Sequence, residues 1–293
     1  MTGRDTRPLD ATPPPTGGTG PARTGGADPV PAPTAAGEVP ADGRPALEIA
    51  VTSPAGARVA LAHGADRVEL CTGLELGGLT PSAALVEAVA AVGLPVHVLV
   101  RCRPGDFVHD AEETALMVAE VRSVLASGAS GVVVGALTAD GGLDTAAVAR
   151  LAAAAHDAGR PVEVTLHRAI DVSADPVATA ALLPGLGLTR VLTSGGAPAA
   201  AQGLARLAAM VKAAPGVQVM AGGGVRPADI PALAAAGVAA VHLSAKRRAA
   251  PRRGGAWIPL GAAGASAEQD THFVTDPAVV AEARSMLEQR STG

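Results

Sequence analysis

The sequence predicts an α/β fold, a (β/α)8 barrel of the TIM type over residues 45–293, preceded by a disordered tail over residues 1–44. Three observations carry this. Eight short runs rich in β-branched residues recur from Leu47 onward, alanine-rich stretches of helical period separate them, and cap residues punctuate the junctions. Strands that alternate with helices imply a parallel sheet, and eight such units in one domain close into a barrel. A doubly wound open sheet is the competing arrangement of the same units.

The tail holds Pro, Gly, Thr and Ala with almost no large apolar side chain, so burial cannot offset its ordering entropy. The strand candidates follow in order: LEIAVT (47–52), RVELC (67–71), PVHVLVR (95–101), GVVVG (131–135), PVEVTLHR (161–168), RVLTSG (190–195), VQVMAGG (217–223) and AVHLSA (240–245). Helical stretches fall at 54–63, 80–92, 110–127, 144–158, 175–185, 197–213 and 226–236, with a last one over 276–289. Thr80-Pro81, Asp144 and Asp175-Pro176 stand where helices begin. Gly64, Gly93, Gly128, Gly159 and Gly237 stand where they end.

Composition excludes several functions. A net charge of -4 gives no global basic field, and one Trp, two Phe and no Tyr provide no base-stacking platform, so nucleic acid is not an expected partner. Apolar runs are short and interrupted, so no membrane-spanning helix is expected, and the N-terminus lacks the pattern of a secretory signal. A cytoplasmic location is the resulting expectation. Cys71 and Cys102 form neither a metal-ligand spacing nor a disulfide framework.

A barrel strand shows one face to the helices and the other to the interior, and the helix-facing side must be apolar. That fixes the phase. Ile49, Val51, Val68, Leu70, Val96, Val98, Val100, Val162, Val164, Leu166, Val241 and Leu243 point outward. Glu48, Glu69, Cys71, His97, Arg101, His167 and His242 then point inward, into the half of the barrel where active sites sit. Ordinary barrel interiors are filled by Val, Ile and Leu, so this polar set points to function, against the alternative of a self-satisfied ion network in which Arg101 pairs with Glu69 or Glu48. Arg67 and Glu163 start their strands, at the opposite end, and read as structural.

Loops at the same end add donors. RCRPGDF (101–107) brings Arg103 and Asp106, and HRAID (167–171) brings Arg168 and Asp171. TSGG (193–196) and AGGGVRP (221–227) are glycine-rich turns whose amides suit phosphate or carboxylate. Gly222, Gly223, Gly224, Thr193 and Ser194 are therefore candidate anion donors, with Ser244 a further hydroxyl.

RVELCTGLELGGLTPS, RCRPGDF, VTLHRAID, RVLTSGG and VMAGGGV, in this order and spacing, resemble the CutC family, named for copper homeostasis. The resemblance runs from about Leu47 to Ala245 and part of the last helix. It implies a (β/α)8 barrel, a cytoplasmic protein, copper as a ligand, and a homo-oligomer, since some members are reported as oligomers. Departures matter too. Many relatives carry a cysteine near the end of the first strand, where this chain has Ala50, and the family's RPRGGDF reads RCRPGDF here. With one thiol lost, copper would rest on Cys71 with His97 or His167, because Cu(I) favours soft ligands. Two readings therefore stand side by side. One is a copper homeostasis protein that binds copper through Cys71, His97 and His167. The other is an enzyme for a small anionic metabolite, with Glu69 or His167 as acid/base, Arg101 as charge clamp and Asp171 beside them.

Overall fold

The computed structural model describes Pro40, residues 43–249 and residues 272–289. The expectation for the tail lies outside the described residues except at Pro40, Gly43 and Arg44.

Eight parallel strands close in sequence order: β1 (Ala46–Val51), β2 (Arg67–Leu70), β3 (Val96–Leu99), β4 (Gly131–Val134), β5 (Glu163–Leu166), β6 (Arg190–Thr193), β7 (Gln218–Ala221) and β8 (Ala240–Leu243). Closure separates the two candidate folds. β1 pairs with β8 in the register Glu48↔His242 and Ile49↔Leu243, a contact that an open doubly wound sheet lacks. The chain is a (β/α)8 barrel.

Each strand is followed by a helix, and local chemistry sets the helix starts. Ser53 accepts from the Gly56 amide to cap α1 (Pro54–Ala62), which has proline in its first turn. Asp110 and Glu113 form a reciprocal capping box on α3 (Ala111–Ala126, after α2, Ala83–Ala90). Asp144 and Asp175 cap α4 (Thr145–His156) and α5 (Pro176–Ala181), as expected from sequence. Gly64, Gly93, Gly128, Gly159 and Gly237 all take positive φ just beyond helix ends.

Thr80 behaves differently. The cap of α2 is Ser82, while the Thr80 hydroxyl accepts from the Arg101 amide and donates to Glu120. It anchors the end of β3 instead of starting a helix. α6 (Leu204–Ala213), α7 (Ile230–Ala235) and α8 (Pro277–Glu288) complete the ring. Lys246–Arg248 (β9) pairs antiparallel with Phe273–Thr275 (β10) just before α8.

The predicted phase holds. Ile49, Val51, Val68, Leu70, Val98, Val164 and Leu243 lie in one apolar layer with helix residues such as Ala57, Val86, Met117, Leu151 and Leu233. Burying each such side chain contributes about 1.5–3 kcal/mol. Alternate residues are thereby forced inward, and many of them are charged.

Candidate functional site

Residues near the starts of the strands form an ion network. Arg67 Nε donates to Glu48 Oε2 at 2.5 Å. Arg190 NH1 donates to Glu163 Oε2 at 2.8 Å and its Nε to Gln218 Oε1 at 3.0 Å. His97 Nε2 faces the same Glu163 oxygen at 3.1 Å. Burial opposes ionisation of Glu163, but the bonds from His97 and Arg190 outweigh it and bring its pKa to about 2. Burial also penalises a charged Glu48, yet Arg67 and His242 hold its carboxyl well below the usual range. Glu48 and His97, expected among the cavity residues, thus belong with Arg67 and Glu163. Depth along a strand is not encoded by alternation, which sets only the face. Arg190 and Gln218 open β6 and β7, and the sequence reading missed their role.

Beyond the other ends of the strands lies a cavity of about 490 Å³. Glu69, Leu99, Arg101, Phe107, His167, Arg168, Asp171, Gly223, Gly224, Val225, His242, Ser244 and Lys246 are among the residues that line it. β9 carries Lys246 to the rim, with its ammonium 4.4 Å from the Phe273 ring centre.

Arg101 takes none of the carboxylates proposed for it. Its NH1 donates to the carbonyls of Leu76 (3.0 Å) and Gly78 (3.2 Å) and its NH2 to that of Gly105 (2.7 Å), and it stacks on Phe107. Among the described residues no carboxylate lies within 4.0 Å of it, and its buried Nε has no partner. Gly73, Gly77 and Gly78, all at positive φ, turn the loop after β2 so that these carbonyls reach the guanidinium. The result is a held cation without a counter-ion.

His167 follows β5, and its Nδ1 accepts from the Ala169 amide at 3.1 Å. The ring proton therefore sits on Nε2, which is buried without a partner among the described residues. Burial, reinforced by Arg101, lowers its pKa to about 3, so the imidazole is neutral. In this geometry His167 Nε2 is a hydrogen-bond donor that faces the cavity. Burial pushes the Glu69 pKa up to about 7, with Glu48 adding to the rise and His242 opposing it. His242 Nδ1 lies 2.7 Å from Glu48 Oε1, and its Nε2 lies 3.8 Å from Glu69 Oε2. Burial disfavours its charge, but Glu69 and Glu48 together raise its pKa. Arg67, Glu48, His242 and Glu69 thus form one chain that ends in the cavity.

The turn after β6 already has its anion. Asp171 accepts from Thr193 Oγ1 (2.5 Å), the Ser194 amide (2.9 Å), the Gly196 amide (3.0 Å) and Arg168 Nε (2.7 Å). Ser194 Oγ donates to the Ala197 carbonyl. Thr193 and Ser194 are fully buried and do not line the cavity, so they position Arg168 rather than face a ligand. The amide of Gly222 is likewise taken, by the Thr193 carbonyl. Gly223 and Gly224 do reach the cavity, at φ of 98° and 65°. Their amides and that of Val225 have no acceptor among the described residues. A Cβ on Gly223 would meet Arg168 Cζ at 2.7 Å, which explains the glycine there.

A family model described as the CutC family matches residues 46–247. The chain belongs to the CutC family. CutC of Klebsiella pneumoniae (strain 342) is 42% identical over 214 residues, 73% of this chain and 81% of that protein. CutC of Agrobacterium fabrum is 44% identical over 188 residues, 64% of this chain and 73% of that protein. A solved CutC structure from Streptococcus agalactiae, whose name assigns it to copper homeostasis, matches with a TM-score of 0.61 at 26% identity. That match covers 68% of this chain and 98% of the other.

The copper ligands expected in this chain do not converge. Cys71 packs with Leu99, Val133 and Leu74, and burial, with Glu69 and Glu75, pushes its thiol far above the usual range. His97 turns to Glu163, and His167 has its Nδ1 taken. Among the described residues the clusters with three ligand atoms within 4.8 Å of one another are Cys102–His109–Glu113 and Glu48–Glu69–His242, and Cys71, His97 and His167 form no such cluster. These three do not fit a shared copper ion. Among the described residues no helix is long and apolar enough to cross a membrane.

Proposed function

We propose that the chain binds a small anionic metabolite, phosphorylated or carboxylated, in this cavity and transfers a proton on it. One observation carries the reading: a buried Nε2–H of His167 and the uncompensated guanidinium of Arg101 face the same cavity. Leaving a buried donor unpaired costs about 1–3 kcal/mol, a cost that an anionic oxygen would remove. The amides of Gly223, Gly224 and Val225 form a nest for the anionic group, and Arg168, against Gly223, adds a guanidinium beside it. Glu69, with a pKa of about 7, gives or takes the proton near neutrality, while His242, held through Glu48 and Arg67, sets the charge beside it. Asp171, Thr193 and Ser194 act through Arg168 as positioning residues.

Thermal-shift titration with inorganic phosphate and small carboxylates tests this. The wild type should be stabilised in proportion to ligand, and Arg101→Ala should lose that increment whatever its own melting temperature. If no such anion stabilises the wild type, the cavity is not an anion site and the enzyme reading falls.

Copper binding is the second reading, supported by the name of the Streptococcus agalactiae relative. In this chain it calls for a thiolate, and titration of Cu(I) into the wild type and Cys71→Ser tests whether Cys71 supplies it. A cytoplasmic setting accords with two unpaired cysteines, and a homo-oligomer remains part of the proposal, to be read by light scattering.

A further inference from the structure

The loop that leaves β3 carries a second group of potential ligands, on the outer side of the barrel wall. Cys102 follows Arg101 directly, His109 precedes the cap of α3, and Glu113 lies in its first turn. One thiol sulfur, one imidazole nitrogen and one carboxylate oxygen from these residues lie within 4.8 Å of one another. A tetrahedral ion with bonds of about 2.0–2.3 Å needs ligand atoms roughly 3.3–3.8 Å apart, so small rotamer changes close the difference.

The independent sign is His109. Its side chain is fully covered (0% exposed), yet neither ring nitrogen has a hydrogen-bond partner. An imidazole excluded from water with both nitrogens unsatisfied costs about 1–3 kcal/mol per group, and a ligand bond to one nitrogen would remove that cost. The Nδ1 atom sits 3.5 Å from Glu113 Oε2, so the ring already faces the carboxylate.

We propose that Cys102, His109 and Glu113 form a binding site for a borderline divalent cation of the zinc class. The donor set decides the class: thiolate, imidazole and carboxylate together suit Zn²⁺ better than Mg²⁺ or Ca²⁺, which take oxygen alone. Three protein ligands leave a fourth position for water. Arg103 now pairs with Glu113 through Nε and NH2, and it also reaches Asp106 at 3.1 Å. Binding shifts Arg103 toward Asp106 and releases the Cys102 thiol proton to solvent, one proton per ion bound.

The test uses the full chain, stripped with chelator and titrated with Co²⁺ and Zn²⁺. Co²⁺ should develop a thiolate-to-cobalt charge-transfer band at one equivalent per chain, and Zn²⁺ should bleach it. Cys102→Ser should abolish the band, and His109→Gln should weaken Zn²⁺ binding by at least about tenfold. Cys71→Ser, whose thiol lies in the barrel interior, should leave both unchanged, and melting curves check that each variant folds. Absence of the band in the wild type overturns the proposal. So does a band that survives Cys102→Ser or disappears in Cys71→Ser.

Discussion

The two ends of the barrel interior hold the same kinds of side chain and treat them in opposite ways. At the strand starts, Arg67 and Arg190 meet Glu48 and Glu163, and His97 joins them. At the strand ends, Arg101 has no carboxylate and His167 Nε2 has no acceptor, while Glu69 is held near neutrality. Charges paired with carboxylates rigidify a core, whereas a cation without a carboxylate beside a cavity keeps its interaction energy for something that enters. Residue type alone would not separate the two ends. What separates them is that Arg67 and Arg190 have carboxylate partners and Arg101 has none, although His97 Nδ1 at the strand starts also lacks a hydrogen-bond partner.

The largest expected effect breaks the closed end. Glu163→Ala would strand both Arg190 and His97 in the interior, and removal of one partner of a buried pair costs about 3–5 kcal/mol. Glu69→Gln at the open end should cost no more than about 1 kcal/mol at pH 5, where the wild-type carboxyl holds its proton. Urea melts of both variants measure the contrast. Equal losses would mean that the two ends are not differently paired.

Much of this division was legible in the sequence, but not all of it. Alternation in RVELC placed Glu69 and Cys71 on the inner face because Val68 and Leu70 had to meet the helices. The fold followed from the same periodicity. Alternation says nothing of which inward charge meets which, so it puts Glu48 and His97 on the same face as the cavity residues and gives no sign of the Arg190 pairing. The acceptors of Arg101 are backbone carbonyls, two from the Gly73–Gly78 turn and one at Gly105, and a loop's course is not written in its composition. Asp171 likewise reaches the Thr193–Ser194 turn across 22 residues of sequence.

A second, comparable effect sharpens the comparison through pH. Glu69 has a folded pKa of about 7 against an ordinary 4.5, so between those values the folded state keeps a proton that the unfolded chain has released. Stability from this group is therefore lost as pH rises from 4.5 to 7, by about 3 kcal/mol in all. His167 runs the other way: its folded pKa of about 3 lies below the ordinary 6.5, so stability is lost as pH falls from 6.5 towards 3. Between pH 4.5 and 6.5 the two slopes oppose each other, so Glu69→Gln should leave stability rising with pH across that window and His167→Gln should leave it falling. Unfolding followed from pH 4 to 8 reads both, and a Glu69→Gln profile parallel to wild type would show that Glu69 ionises normally.

The smallest effect tests the one place where the open end has closed itself. Asp171 fills the turn after β6 with its own carboxylate, accepting from two amides, a hydroxyl and Arg168. Asp171→Ala removes that anion while leaving the donors in place, so the turn should become a vacant carboxylate site. The expected cost is about 1–3 kcal/mol, the loss of charge-assisted bonds to donors that stay buried. Acetate or formate should then recover part of the loss in the variant by occupying the emptied turn, with no matching gain at this turn in the wild type. Phosphate stabilisation of the main cavity should weaken as well, because Arg168 loses its tether. The difference between variant and wild type in an acetate titration isolates the turn from any anion bound in the cavity, since both proteins keep Arg101 and His167. If acetate raises the melting temperature of both equally, the turn does not select anions, and Asp171 is only a bridge between β6 and the loop that follows β5.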